Sequence, residues 1–276
     1  YNLFFMTHEG QYDNMNAFFR TNGYDEVFSQ EDYPADKVVN SFGVQDDFLY
    51  DYAIPVLNQR AATGQPFFAT LLSISNHPPY VIPPFFHPKT SEPETQIVEY
   101  ADWALRQFFE EARKQPWFDN TIFVLEGDHG KLVGDAECEL PESYNHIPLM
   151  IYSSRIQPEE KTTFGGQVDI QPTILGLLNI DYLQNNFGVD LLKEKRPCMF
   201  YTADNMVVGR NDTLLYLYNY ETQQELTYDI GNGKLNAVPM DDSFLPLKEY
   251  SFSMLQSAEF LVKHGKTLNS IPFTQQ

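Results

Sequence analysis

Short apolar runs, each closed by a polar turn, punctuate the first two thirds of the chain. Asn2-Leu3-Phe4-Phe5-Met6-Thr7 opens it, and Phe67-Phe68-Ala69-Thr70-Leu71-Leu72-Ser73-Ile74 follows between Pro66 and Asn76. Thr121-Ile122-Phe123-Val124-Leu125 and Pro148-Leu149-Met150-Ile151-Tyr152 come later. Apolar runs of about four to eight residues suit strands covered on both faces of a mostly parallel sheet. Between them the period becomes helical. Val98, Ala101, Leu105, Phe108 and Phe109 recur at spacings of three and four within residues 97–112. A second helical stretch, Asp46 to Arg60, carries Phe48, Leu49, Tyr52, Ile54 and Leu57, and Pro55 predicts that it is kinked or split. Asp169 is placed to cap a third helix, with Pro172 in its first turn.

From about Leu191 the pattern shortens. Met199 to Thr202, Met206 to Val208, Leu214 to Tyr218 and Glu225 to Tyr228 read as strands, with turn signals at Gly209-Arg210-Asn211-Asp212 and Gly231-Asn232-Gly233. Ser251 to His264 reads as a terminal helix, and the last dozen residues are expected to be loose. The chain therefore predicts an α/β domain over residues 1–190, with a mostly parallel central sheet flanked by helices. A small antiparallel subdomain with a terminal helix is expected over residues 191–276.

Composition narrows the functional classes. The 276 residues carry 18 basic and 38 acidic side chains, a net charge of −20 that repels phosphate backbones, so nucleic acid is not expected as a partner. Simple solubility explains such acidity, but an anionic substrate would then need a local positive centre, which a bound metal supplies. Cys138 and Cys198 are either one disulfide or two free thiols, and neither lies in a CxxC motif. No apolar run reaches the length of about 18 residues that a membrane-spanning helix needs. Tyr1 to Met6 lacks the basic segment of a signal peptide, and without an initiator Met the chain reads as a fragment or a processed form.

Ligands of open α/β sheets gather at the carboxyl ends of strands. His8 follows the first strand, His77 the second, and Asp128 with His129 the third. Glu126-Gly127-Asp128-His129-Gly130 is the strongest local signal, because flanking glycines let a carboxylate and an imidazole leave one strand end together. Such oxygen and nitrogen donors suit Mn²⁺ or Zn²⁺, with Mg²⁺ as an alternative. The bland reading is a loop with a capping Asp and a solvent-facing His.

Context favours the first reading. The stretch Asn120 to Gly130 resembles the segment that carries two metal ligands in the alkaline phosphatase/sulfatase superfamily. Glu99-Tyr100-Ala101-Asp102 resembles the helix before it, Tyr144-Asn145-His146-Ile147-Pro148-Leu149 the return into the next strand, and Gln167 to Leu175 the helix with the pattern D-x-x-P-T-L. Ser73 to Tyr80 resembles the S-x-x-x-H-x-P segment of the lipoteichoic acid synthase-like branch, whose members are phosphoglycerol transferases. The matches keep the family's order over residues 1–230 or so.

The resemblance implies roles. Asp128 and His129 match metal ligands, with manganese placed first and zinc or magnesium as alternatives. His77 matches a histidine contacting the transferred group and is the chosen acid for the leaving group; His8 and His146 match further substrate-side histidines, and for His146 a structural role stays open. His87 and His264 have no motif context and are expected at the surface. The family's Trp and Arg that help hold phosphoglycerol are matched here by Asp13 and Met15, and the direction of nearby Arg20 is open, so the head group handled is expected to differ.

The family's first metal carboxylate and its nucleophile have no counterpart in the chain and are expected upstream of Tyr1; neither cysteine sits in a C-x-P-S-R motif. Without them no covalent phospho-enzyme forms, so the chain alone is expected to be inactive. The activity implied is extracytoplasmic, metal-dependent transfer of phosphoglycerol or a related phosphoalcohol. Its substrate would be a phospholipid head group or glycan at the periplasmic or extracellular face of the membrane, to which absent N-terminal helices would tether the protein. A sulfatase or phosphodiesterase of the same superfamily is the first alternative, and a non-catalytic metal- or glycan-binding module the second.

Overall fold

The computed structural model describes residues 1–132, 134–231 and 233–267. The expectation for the final residues falls outside these from position 268 onward, as does Asn232 of the second turn signal. The N-terminal part contains β1 (Asn2–Met6), α1 (Met15–Thr21), β2 (Glu26–Phe28), β3 (Val38–Asn40), β4 (Gly43–Val44), α2 (Asp46–Ala61), β5 (Phe68–Leu72), α3 (Pro93–Ala112) and β6 (Phe123–Glu126). After it come β7 (Leu149–Tyr152), α4 (Ile170–Leu177), β8 (Met199–Ala203), β9 (Met206–Arg210), β10 (Leu214–Asn219), β11 (Gln224–Gly231), β12 (Lys234–Ala237) and α5 (Leu245–Lys263).

These elements form two compact units, residues 1–124 with 151–157 and residues 125–150 with 158–276. In the first, β2, β1 and β5 form a parallel sheet in that order, with Phe4 opposite Val27 on one side and Thr70 on the other. Leu3, Phe5 and Met6 are wholly buried, as a central strand covered on both faces requires. Leu3 and Phe5 face Leu49, Ala53 and Leu57 of α2, and Phe4 and Met6 face the α1 side with Val27. The strands after α3 do not extend this sheet: β6 and β7 form their own two-stranded sheet.

Three helices differ from the sequence pattern, α5 by starting at Leu245 and not at Ser251. α2 runs unbroken through Pro55. Proline removes one N–H, the donor to the Asp51 carbonyl, and burial of Ala53 and Leu57 on either side of it holds the helix together. α3 buries Ile97, Tyr100, Ala104, Phe108 and Ala112, while Val98 is exposed. Its buried stripe is thus turned away from the stripe that Val98, Ala101 and Leu105 suggested.

In the second unit β8 to β12 form one antiparallel sheet, Met199 facing Arg210 and Leu215 facing Tyr228. One face packs Met206, Val208, Leu215 and Leu217 with Leu140. The other packs Tyr216 with Phe244 and Leu247 near the start of α5. Both cysteines are free thiols, Cys198 buried and Cys138 partly so.

Candidate active site

In the first unit two predicted histidines follow neighbouring strands. His8 lies just beyond β1, is 1 % exposed, and packs at a tilt on Tyr12 at 4.7 Å between ring centroids. His77 lies in the loop after β5, is exposed, and packs on Phe42 at 4.2 Å. Tyr12 and Phe42 meet at 6.2 Å, so a row of rings joins the two imidazoles. Gly43 makes this possible. It has a φ of +89° and its missing Cβ would lie 1.8 Å from the Thr7 carbonyl oxygen, a conformation and an approach open to glycine alone.

The loop bearing His77 is held by the first turn of α2. The buried Asp46 carboxylate accepts from the Ile74 and Ser75 backbone N–H groups through one oxygen, at 2.9 and 3.0 Å. The Ser75 hydroxyl accepts from the Asp46 N–H at 3.0 Å and donates to the Gln45 side chain at 2.9 Å. Beyond His77, the Gln45 amide donates to the Val81 carbonyl at 2.9 Å. Burial pushes the Asp46 carboxyl above its ordinary range, against the two backbone hydrogen bonds, and Asp47 adds to the push. Near His8, burial opposes ionisation of Glu31, but hydrogen bonds from Ser29 and Gly10, with the His8 imidazole close by, hold its carboxyl below the ordinary range.

In the second unit Asp128 and His129 leave the end of β6 side by side. The Asp128 carboxylate accepts from the His129 N–H at 2.9 Å, and its other oxygen lies 3.7 Å from His129 Nε2. His129 Nδ1 is 2.7 Å from the Gly130 carbonyl oxygen. A carbonyl only accepts, so Nδ1 carries the proton and Nε2 keeps its lone pair in the neutral ring. The loop is anchored at two points. The Gln167 amide donates to the Asp128 carbonyl at 2.8 Å, and Gly130 N–H to the Tyr144 carbonyl at 2.8 Å. Gly130 is required here, since a Cβ would sit 2.0 Å from the Ser143 carbonyl oxygen. His146, exposed, rides on the same turn, its N–H donating to the Glu142 carbonyl at 2.8 Å, and the Glu142 side chain is ion-paired to Arg210 of β9. Burial, then the charge of Asp128, push the Glu126 carboxyl upward.

Asp128 and His129 fit a divalent cation as two of its donors. An Asp128 oxygen and His129 Nε2 lie 3.7 Å apart, and both side chains are exposed at the strand end. The free Nε2, backed by a carbonyl at Nδ1, is the arrangement a metal-binding histidine uses. Among the described residues no three His, Cys, Asp or Glu side chains gather to hold a metal.

The remaining candidates settle individually. Arg20 turns back onto its own helix and β2, donating to Asn16 at 2.7 Å and the Val27 carbonyl at 3.3 Å. Met15 packs with Phe4 and Val27. Asp13 sits in the left-handed region at φ 47°. His87 and His264 are exposed. Asp169 stands at the N-cap position of α4, but its side chain makes no capping bond there. It is fully buried, receives N–H groups of Gly166 and Val189, and takes a two-pronged contact from Arg196.

Comparison with known proteins places the geometry in a family. The sulfatase family model matches residues 1–180. Lipoteichoic acid synthase 1 of Bacillus subtilis is 27% identical over 243 residues, 80% of this chain and 36% of that protein. The chain thus spans about a third of the length of the curated relatives it matches. A protein of the alkaline phosphatase superfamily from Vibrio parahaemolyticus has a TM-score of 0.81 and 27% identity, over 94% of this chain and 65% of that one. For the lipoteichoic acid synthase LtaP of Listeria monocytogenes the TM-score is 0.79 and the identity 21%, over 99% and 71%. The chain belongs to the sulfatase family, on the lipoteichoic acid synthase-like branch of the alkaline phosphatase superfamily.

Proposed function

We propose that the chain carries part of the machinery of a metal-dependent transferase that moves phosphoglycerol, or a related phosphoalcohol, from a membrane lipid at the extracytoplasmic face. The observation that carries this reading is the pairing of the Asp128 carboxylate with a His129 Nε2 left free by the Gly130 carbonyl. The lipoteichoic acid synthases among the relatives support the choice of substrate class. A divalent cation, manganese before zinc or magnesium, polarises a phosphoryl oxygen when bound and lowers the pKa of the attacking hydroxyl.

The chain's own residues take the other parts. Asp128 and His129 hold the cation. The hydroxyl nucleophile and a further carboxylate come, on this reading, from a segment preceding Tyr1 in the full-length protein. As the nucleophile bonds to phosphorus, the lipid oxygen leaves and takes a proton from His77 Nε2. The Pro78 carbonyl, 2.7 Å from His77 Nδ1, keeps that second proton in place, so the ring ends neutral and correctly turned. His8 and His146 take substrate-side roles. Tethering at the membrane is assigned to N-terminal helices of the full-length protein; no helix among the described residues is long and apolar enough to cross a membrane.

Asp128→Ala in the full-length protein tests the reading. The expected outcome is a loss of Mn²⁺ affinity of about a hundredfold, with turnover abolished at sub-millimolar metal. Unchanged affinity and turnover would remove Asp128 from the site.

A further inference from the structure

The first turn of α2 holds the His77 loop from both sides. We propose that Asp46, seconded by Gln45, is the positioning residue for the proton donor His77, an inference that rests on the function proposed above.

Three observations carry it. Asp46 is 2 % exposed and aims one carboxylate oxygen at two successive N–H groups, those of Ile74 and Ser75. The His77 N–H then donates to the Ile74 carbonyl at 2.8 Å, so the residue that Asp46 grips closes the turn on which His77 sits. On the other side, Gln45 grips Val81, and Ser75 ties Gln45 to Asp46. Residues 74 to 81 are therefore pinned at both ends to two consecutive side chains at a helix start. Gln45 and Ser75 also line the small depression beside His77, with Phe42 and Val81. The imidazole itself is exposed and touches none of these carboxylates, so Asp46 acts through the backbone that carries it.

The charge of Asp46 is not what the geometry uses. Its single accepting oxygen is, and asparagine retains that oxygen. Removing the acceptor leaves a buried N–H and a part-buried one unpaired and frees the loop to shift. A shift of about 1 Å in a donor is enough to cost about a hundredfold in rate.

Leaving-group dependence separates this role from general damage. The full-length protein would be assayed with phosphatidylglycerol, whose alkoxide needs a proton, and with a p-nitrophenyl phosphodiester, whose phenolate does not. His77→Ala is expected to slow the lipid reaction by about a hundredfold or more and the aryl reaction far less. Asp46→Ala should show the same one-sided loss, mostly in kcat, and Asp46→Asn should restore most of it. In the His77→Ala background, Asp46→Ala should add less than about threefold, because acting through one group is non-additive. Should Asp46→Ala not fold, Gln45→Met, which releases Val81, carries the same comparison. Equal losses on both substrates, or effects that multiply with His77→Ala, would overturn the role of Asp46 while leaving His77 as donor. No discrimination by His77→Ala itself would remove the donor from the proposed function, and this inference with it.

Discussion

His8, His77 and His129 share one local device: each places Nδ1 within 3.1 Å of the carbonyl oxygen of the residue that follows it. A neighbouring backbone carbonyl thus fixes the tautomer of each neutral ring and leaves the lone pair on Nε2. Asp46 shows the opposite economy, a carboxylate kept where its charge is costly. Burial raises its folded-state pKa above the value of about 3.9 that it has unfolded, so across that interval the native state binds the extra proton. Native stability attributable to this group is then greatest at low pH and is lost as pH rises through the folded pKa. Asp46→Asn cannot titrate. Its stability relative to the unsubstituted protein should therefore climb as pH is raised from about 4 toward 7, which urea unfolding at several pH values would show. A difference that stayed flat, or fell, would contradict the burial argument.

Among the elements, the buried ion pair of Asp169 and Arg196 ties the start of α4 to the segment after it, and Arg196 also donates to Tyr250 of α5 at 3.2 Å. Removing one partner of such a pair strands the other without compensation, which costs about 3 to 5 kcal/mol. Arg196→Met should lower the unfolding free energy by that amount in denaturant titration; a loss under ~1 kcal/mol would mean the pair is not the clasp the structure indicates.

The long or strongly patterned elements were legible in the sequence. β1, β5 and β7 were found within one or two residues, because uninterrupted apolar runs bounded by Pro or polar residues have few other uses. β2 to β4 and β12 escaped, being two to four residues long and without a period to detect. Asp169 was read as a cap because an acid before a helix usually is one; that a distant arginine would bury it has no local signature. The same holds for Asp46. The strand-end motif around Asp128 was visible, whereas its anchoring depends on Gln167 and on the Tyr144 carbonyl, both well away in the chain. Pro55 misled because one missing hydrogen bond is offset by packing that no local rule counts.

At the scale of the whole molecule, two compact units each bury a core of their own, and the chain carries a net charge of −20. A protein so acidic meets an anionic phosphodiester only where the field is locally reversed. A divalent cation on Asp128 and His129 is the reversal proposed here. Diffraction from crystals of the full-length protein soaked in Mn²⁺, collected at the manganese absorption edge, tests it most directly. The expected result is an anomalous peak within coordination distance of an Asp128 oxygen and of His129 Nε2; a map without density there, or with the cation bound to other side chains, would contradict the account.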